Sequence, residues 1–191
     1  MSGARKAVGA LLAVVAFGAA AQDQPMQDSA ARSIEFKEGP GTENKIRLPA
    51  APKQGDLIFF DAGPARRGFE HFVDGASVNV GSDGVIRYTL VIRSDMGAEN
   101  VAYEGIRCVT RERKVYAHGR RDGSWREIRD PEWKKIGQAH LEGPIFVLYE
   151  DFFCPGRGLV RSAGDAIAAL KHGIHPNASD EATDRAMPLG R

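Results

Sequence analysis

The chain has 191 residues, with 26 Lys and Arg against 25 Asp and Glu and only two cysteines. The length suits one domain. Near-neutral charge argues against a polyanion as the general partner, and two cysteines alone make a poor zinc site.

The N-terminus gives the first element. Arg5 and Lys6 precede an uncharged run, Ala7 to Ala21, that ends in Ala19-Ala20-Ala21. A positive start, a short apolar stretch and an Ala-x-Ala end predict a secretory signal peptide over residues 1–21, cleaved before Gln22. A spanning helix needs about 20 apolar residues, and this run is short and rich in Ala and Gly. No later stretch is apolar enough to span a membrane, so the mature chain is expected to be periplasmic, with no transmembrane segment. An oxidising compartment pairs thiols, which makes Cys108–Cys154 the expected disulfide; two buried free thiols are the alternative. The pair lacks C-x-x-C spacing, so a thioredoxin-like motif is excluded.

Residues 22–54 are polar and carry Pro25, Pro40, Pro49 and Pro52. They read as an extended polar lead-in, with "SIEFKEG" offering one short strand. A single domain is expected over residues 55–175. It opens with the strand-like "DLIFFDA", followed by a loop marked by Gly63-Pro64 and Gly68. In "VIRYTLVIR", Ile86, Tyr88, Leu90 and Ile92 alternate with Arg87, Thr89, Val91 and Arg93, which is a strand with one buried face. Phe72, Ala76, Val78 and Val80 keep the same parity before it, and Gly81-Ser82-Asp83-Gly84 joins the two runs as a hairpin. "NVAYEGIRCV", "KVYAHG" and "SWREI" extend the antiparallel meander.

The pattern then changes. Pro144 opens "PIFVLYEDFFCP", in which Ile145, Leu148, Tyr149 and Phe152 lie at i, i+3, i+4 and i+7. This predicts a helix stopped by Pro155, although the aromatic content leaves a strand as the alternative. "RSAGDAIAALKHG" predicts a second helix, with Ser162 as cap, Asp165 three residues on, Ile167 and Leu170 facing inward and Gly173 as the stop. Residues 176–191 read as a flexible tail. Strands first and helices after describe an α+β domain, an antiparallel β-meander sheet with two C-terminal helices packed on it.

Known catalytic motifs are absent: no G-x-S-x-G, S-x-x-K, H-E-x-x-H, P-loop or EF-hand loop occurs. His172 and His175 in "HGIHP" flank the helix stop and read as two exposed histidines, so no metal and no cofactor is expected. Glu150 and Asp151 are neighbours on a helix and point apart. Glu104 is more informative. Ala102, Glu104, Ile106 and Cys108 share a strand face; if that face is the core, Glu104 is a semi-buried acid that requires a partner. Arg87, Arg93 and Arg107 are available to it in neighbouring strands.

From Arg107 to Lys135 there are ten Lys or Arg and five Asp or Glu, interleaved with Tyr116, Trp125 and Trp133. Arg107, Arg111, Arg113, Arg120, Arg121, Tyr116 and Trp125, with Glu104, are therefore the candidate binding residues. Behind a signal peptide such a segment suggests an anionic envelope component rather than nucleic acid. The competing reading is a solvated sheet face whose charges protect an edge strand.

The succession "HFVDGASVNVGSDGVIRYTLVIRSDMGAENVAYEGIRC", "KVYAHGRRDGSW" and "LYEDFFCP" resembles the cryptic neisserial protein family of small secreted proteins, over about residues 55–175. The resemblance implies an N-terminal signal, an α+β domain and a cysteine in each of the "EGIRC" and "FCP" segments. It transfers no catalytic residues. The expectation that follows is a secreted binding or scaffolding module without evident catalysis. The alternative is a hydrolase-like enzyme with a dispersed site around Glu104. A cleft bringing Glu104, a histidine and an arginine to mutual hydrogen-bond distance would favour the enzyme.

Overall fold

Short turns between alternating runs leave each strand beside its predecessor, and the result is a seven-stranded antiparallel sheet. The computed structural model describes residues 43–63, 68–137 and 139–175. The signal peptide, the "SIEFKEG" strand and the tail lie outside the described residues. The strands are β1 (Leu57–Phe60), β2 (Phe69–Val80), β3 (Val85–Ser94), β4 (Glu99–Arg107), β5 (Glu112–Gly119), β6 (Trp125–Glu127) and β7 (Lys134–Lys135). Strands β1 to β6 follow one another in sequence order. β6 pairs with the Ala117–Gly119 end of β5, and β7 with Glu112 and Arg113.

One face of β3 behaves as its alternation requires. Ile86, Tyr88 and Leu90 are buried in the main core under the C-terminal helices. The parity of β2 departs from expectation. His71 and Val73 face this core in its first half, and Val78 and Val80 do so in its second. An irregularity between Asp74 and Asn79 shifts the register and inverts the alternation. Phe72 therefore points to the other face, where its ring meets Phe59 edge-on at 5.9 Å.

The second face of the sheet is not solvated. Val85, Arg87, Thr89 and Val91 are buried as well. The first described residues, which the sequence places in the polar lead-in, lie across this back face. Ile46 and Leu48 pack against Tyr103, Tyr116 and Ala117. Trp125 Nε1 donates to the Pro49 carbonyl at 2.8 Å. Ions anchor the start of this strap. Arg87 Nη2 and Nη1 donate to Asp83 at 2.6 and 3.1 Å, and Glu43 lies 3.6 Å from the same guanidinium. Glu43 also accepts from Lys114 Nζ at 2.7 Å and Tyr116 Oη at 2.6 Å. Asn44 N donates to Asp83 at 2.8 Å.

These contacts set a pH response. Burial alone would raise the Glu43 carboxyl, but bonds from Lys114 and Tyr116 and the charges of Lys114 and Arg87 outweigh it and lower the pKa. Asp83 is lowered in the same way, with the Arg87 bonds overcoming burial. A carboxyl lowered in the folded state stabilises fully above its unfolded value, and that stabilisation is lost as pH falls through the folded value. The strap should therefore loosen only below the ordinary values of 4.5 and 3.8. Trp125 emission, compared between wild type and Trp133→Phe during acid titration, should shift red in that range. A shift completed above pH ~5 would contradict this account.

At the C-terminal side, α1 (Ala139–Val147) breaks at Gly143, whose φ of 34° and ψ of −101° are non-helical, so the regular turn begins at Pro144. Leu148–Phe153 continues as a wider π-helical segment, in which Cys154 N donates to the Tyr149 carbonyl at 2.9 Å. The wider turn brings Phe153 inward beside Phe152, and both are buried. Phe153 meets the Tyr88 ring at 5.0 Å, and Phe152 meets Phe60 at 6.0 Å. Cys108 and Cys154 form the disulfide, with Cα atoms 5.4 Å apart. In α2 (Ala163–His172), Ser162 Oγ accepts from Asp165 N at 3.1 Å, and Gly173 closes the helix at φ 85°. Ala166, Ala169 and Leu170 form its buried face, and Ile167 packs at the margin. The chain is thus an α+β protein, an antiparallel sheet followed by two C-terminal helices.

Candidate functional site

Residues two apart on a strand share a face, and register then decides which of them meet. Glu104 lies opposite Tyr88, and Ala102 lies opposite both Leu90 and His118. These side chains look toward the helices at the β3–β5 end of the sheet. There Leu90, Ala102, Glu104 and His118 line a cleft of about 600 Å³, with Pro144 and Ile145 also among its lining residues. Arg113 and His118 join Glu104 as polar groups in this cleft.

Glu104 is 3% exposed. Its Oε2 accepts from Tyr88 Oη at 3.2 Å, and its Oε1 lies 3.5 Å from Arg113 Nη1. Burial first, and the Glu104 charge second, push the Tyr88 hydroxyl well up, so it remains a donor. The expectation of a core-facing acid with a partner holds, but the partners are not the arginines expected from the neighbouring strands. Arg87, Arg93 and Arg107 occupy odd positions of β3 and β4 and face the back of the sheet. Arg113, on β5, has the right face and reach.

The basic segment does not form one surface. Arg107 lies over the Trp133 ring, 4.0 Å from its centroid. Arg111, with φ 52°, donates to the Ile136 carbonyl at 3.2 Å, lies 3.5 Å from Glu150 and stacks over Tyr149 at 5.3 Å. It clamps the β4–β5 turn to the helical segment. Tyr116 and Trp125 hold the strap, and Arg113 enters the cleft. Arg120 and Arg121 are exposed in the β5–β6 turn, beside Asp122. Their replacement by Ser should change stability by less than about 0.5 kcal/mol in a thermal melt.

The two histidines of "HGIHP" also separate. His172 is exposed, as expected, but His175 is buried. Its backbone N–H donates to the Asp151 carbonyl at 2.9 Å, and its Nε2 lies 3.4 Å from Asp165. The chain turns back after Gly173 and brings His175 under the helical layer. Among the described residues, no cluster of His, Cys, Asp or Glu has the arrangement of a metal site. No helix of those residues is long and apolar enough to cross a membrane.

Sequence reasoning missed Asn100, His118, Pro144 and Ile145 as cleft residues. They come from three separate segments and share no motif; only strand register and helix docking unite them.

Comparison with known proteins agrees with the chain's segment pattern. No solved structure matches. Cryptic neisserial protein 1 of Neisseria gonorrhoeae is 33% identical over 144 residues, covering 68% of each chain. The CNP1-like family matches residues 36–171, which include the strap from Glu43 to Pro49, the whole described sheet, both cysteines and nearly all of α2. A match of that extent, joined to this similarity, places the chain in the CNP1-like family.

Proposed function

We propose that the protein is an exported envelope binding module that takes a small ligand into the β3–β5 cleft. One observation carries the reading: a cleft of about 600 Å³, lined by both apolar and polar residues, has a buried carboxylate, Glu104, among its lining groups. Small-molecule sites have this size and combine apolar contact surface with polar groups that fix orientation. Burying a carboxylate is costly unless it is paired and hydrogen-bonded, as Glu104 is by Tyr88 and Arg113. Export is supported by the signal-like pattern of residues 1–21 and by a disulfide, which persists in oxidising compartments. N-terminal sequencing of periplasmic protein should begin at Gln22. Full-length protein in the inner membrane would reject export in soluble form.

The cleft itself is tested by filling it. Ala102 is half-buried in the cleft, so Ala102→Phe should project a ring into that space. A fragment library screened by ligand-observed NMR should give hits with wild type that disappear with Ala102→Phe. An identical hit list for a folded variant would reject the cleft as the binding site.

A second reading, an enzyme around Glu104, draws on the same cleft because Glu104, Arg113 and His118 all line it. It requires turnover. Ester or amide hydrolysis by wild type, lost in Glu104→Gln, would move the reading from binding to catalysis.

A further inference from the structure

We propose that the open edge of β1 docks an extended peptide segment of another protein, apolar at its centre and basic at both ends, which joins the sheet as a further antiparallel strand.

Bonding direction opens the edge. β1 ends the sheet and pairs with β2 alone among the described strands. In an antiparallel ladder, successive residues turn their backbone groups to alternate sides. Thr89 N–H points to the β2 side, where it donates to Ser77 Oγ at 2.8 Å. Register carries that direction outward. Thr89 turns toward β2, Asp74 and Phe72 toward β3, Val73 and His71 toward β1, and Ile58 and Phe60 toward β2. Leu57 and Phe59 then direct their backbone groups away from the sheet. Leu57 agrees, since its N–H donates to the Gln54 carbonyl. Phe59 N–H and C=O are left as a donor and acceptor for a neighbouring strand, and no turn, loop or cap bond among the described residues uses them.

Side chains and charge select the occupant. Edges protected against pairing carry charge, Pro or a bulge, whereas β1 reads Leu-Ile-Phe-Phe and stays in register with β2. Phe59 is 55% exposed. Phe72 lies edge-on beside it, and Arg93 stacks over Phe72 at 5.1 Å. This surface suits an apolar side chain from a strand laid along β1. Asp56 and Asp61, both exposed, stand immediately before and after the strand. Asp61 Oδ1 accepts from Gly63 N at 2.8 Å, which fixes its position. At the other end the Asp56 charge reaches buried Asp74, whose pKa is raised by burial first and by Asp56 after it, so a cation there relieves both carboxyl groups. A second copy of this chain fits poorly. Antiparallel pairing of two β1 strands about Ile58 or about Phe59 brings Asp61 of each copy within one residue of Asp56 of the other, and like charges so placed repel.

The probe is the hexapeptide Lys-Thr-Val-Thr-Val-Lys with blocked ends, whose first valine lies opposite Phe59 in antiparallel register. One control carries Glu at both ends. The other is N-methylated at the first valine, which removes the N–H that would bond the Phe59 carbonyl while keeping every charge. Each is titrated by NMR into isotope-labelled, mature, disulfide-bonded protein at pH 7 and low salt. The basic peptide should shift the amides of Leu57 to Asp61, and both controls should bind at least about fivefold more weakly. In Asp56→Lys/Asp61→Lys, which alters two exposed positions, the preference between basic and acidic peptides should reverse. If that variant does not fold, the wild-type titrations alone decide. The proposal is overturned by an absence of shifts in β1, by equal binding of the N-methylated peptide, or by an unchanged preference in the folded variant. Self-association of wild type that shifts the same amides would assign the edge to a second copy and overturn it as well.

Discussion

Cys108→Ala should lower the melting temperature by roughly 10 °C, and Cys154→Ala should do the same. The bridge spans 46 residues of sequence and joins the end of β4 to the end of the π-helical segment. For a loop of that length, lost loop-closure entropy in the unfolded chain corresponds to about 4 kcal/mol. A domain of this size changes its midpoint by roughly 2–4 °C per kcal/mol. The effect is a large share of a typical stability of about 5–15 kcal/mol. Because both substitutions remove one bond, the double variant should match either single variant, and reductant should add little to any of them. Thermal melts followed by circular dichroism measure all four proteins. Clearly additive losses would show that each cysteine acts through its own packing and not through the bond. Two labelled thiols in denatured, unreduced protein would remove the bond altogether.

The second large effect is expected at Arg87. Its side chain is 5% exposed and that of Asp83 is 6% exposed. Removing one member of a buried ion pair costs about 3–5 kcal/mol, because the remaining charge stays buried without its counterpart. Asp83 retains the bond from Asn44 N, and Glu43 retains Lys114 and Tyr116, so Arg87→Met should fall near the lower end, about 3 kcal/mol. Arg87→Lys should also destabilise, since an ammonium cannot reproduce the two-point contact with Asp83. A denaturant-unfolding cycle with Asp83→Asn separates the pair from general packing loss. Coupling below about 0.5 kcal/mol would reduce Arg87 to a packing residue. Trp125 emission should shift red in Arg87→Met, since the strap loses an anchor near its start.

Much of the fold was legible because local rules and tertiary packing agree. The alternation around Tyr88, the turn at Gly81–Gly84, the Pro144 start and the Ser162 cap each have a local physical signature. The disulfide followed from compartment and cysteine count. The strap did not show itself, because Ile46 and Leu48 alone do not make a periodic pattern and its anchors are polar. The β2 parity error has a similar origin: nothing in "FVDGASVNV" marks a register shift between Asp74 and Asn79. At the candidate site, Glu104 could be singled out because an acid interrupts an apolar strand face. Its partner could not, because Arg87, Arg93 and Arg107, offered by neighbouring strands, are sent by the two-residue period to the opposite face. Arg113 and His118 reach the cleft only through the β4–β5 register, which no single strand encodes.

The strap has a consequence for the order of assembly. Glu43 and Pro49 bond to partners 71 to 76 residues further along the chain. Those partners acquire their positions only when β5 and β6 have joined the meander, so the strap is expected to dock late. Until then Tyr103, Tyr116 and Trp125 present an uncovered aromatic surface, the kind of transient exposure that makes intermediates self-associate. A chain begun at Gly55 would keep every described strand and both described helices yet remain in that exposed condition permanently.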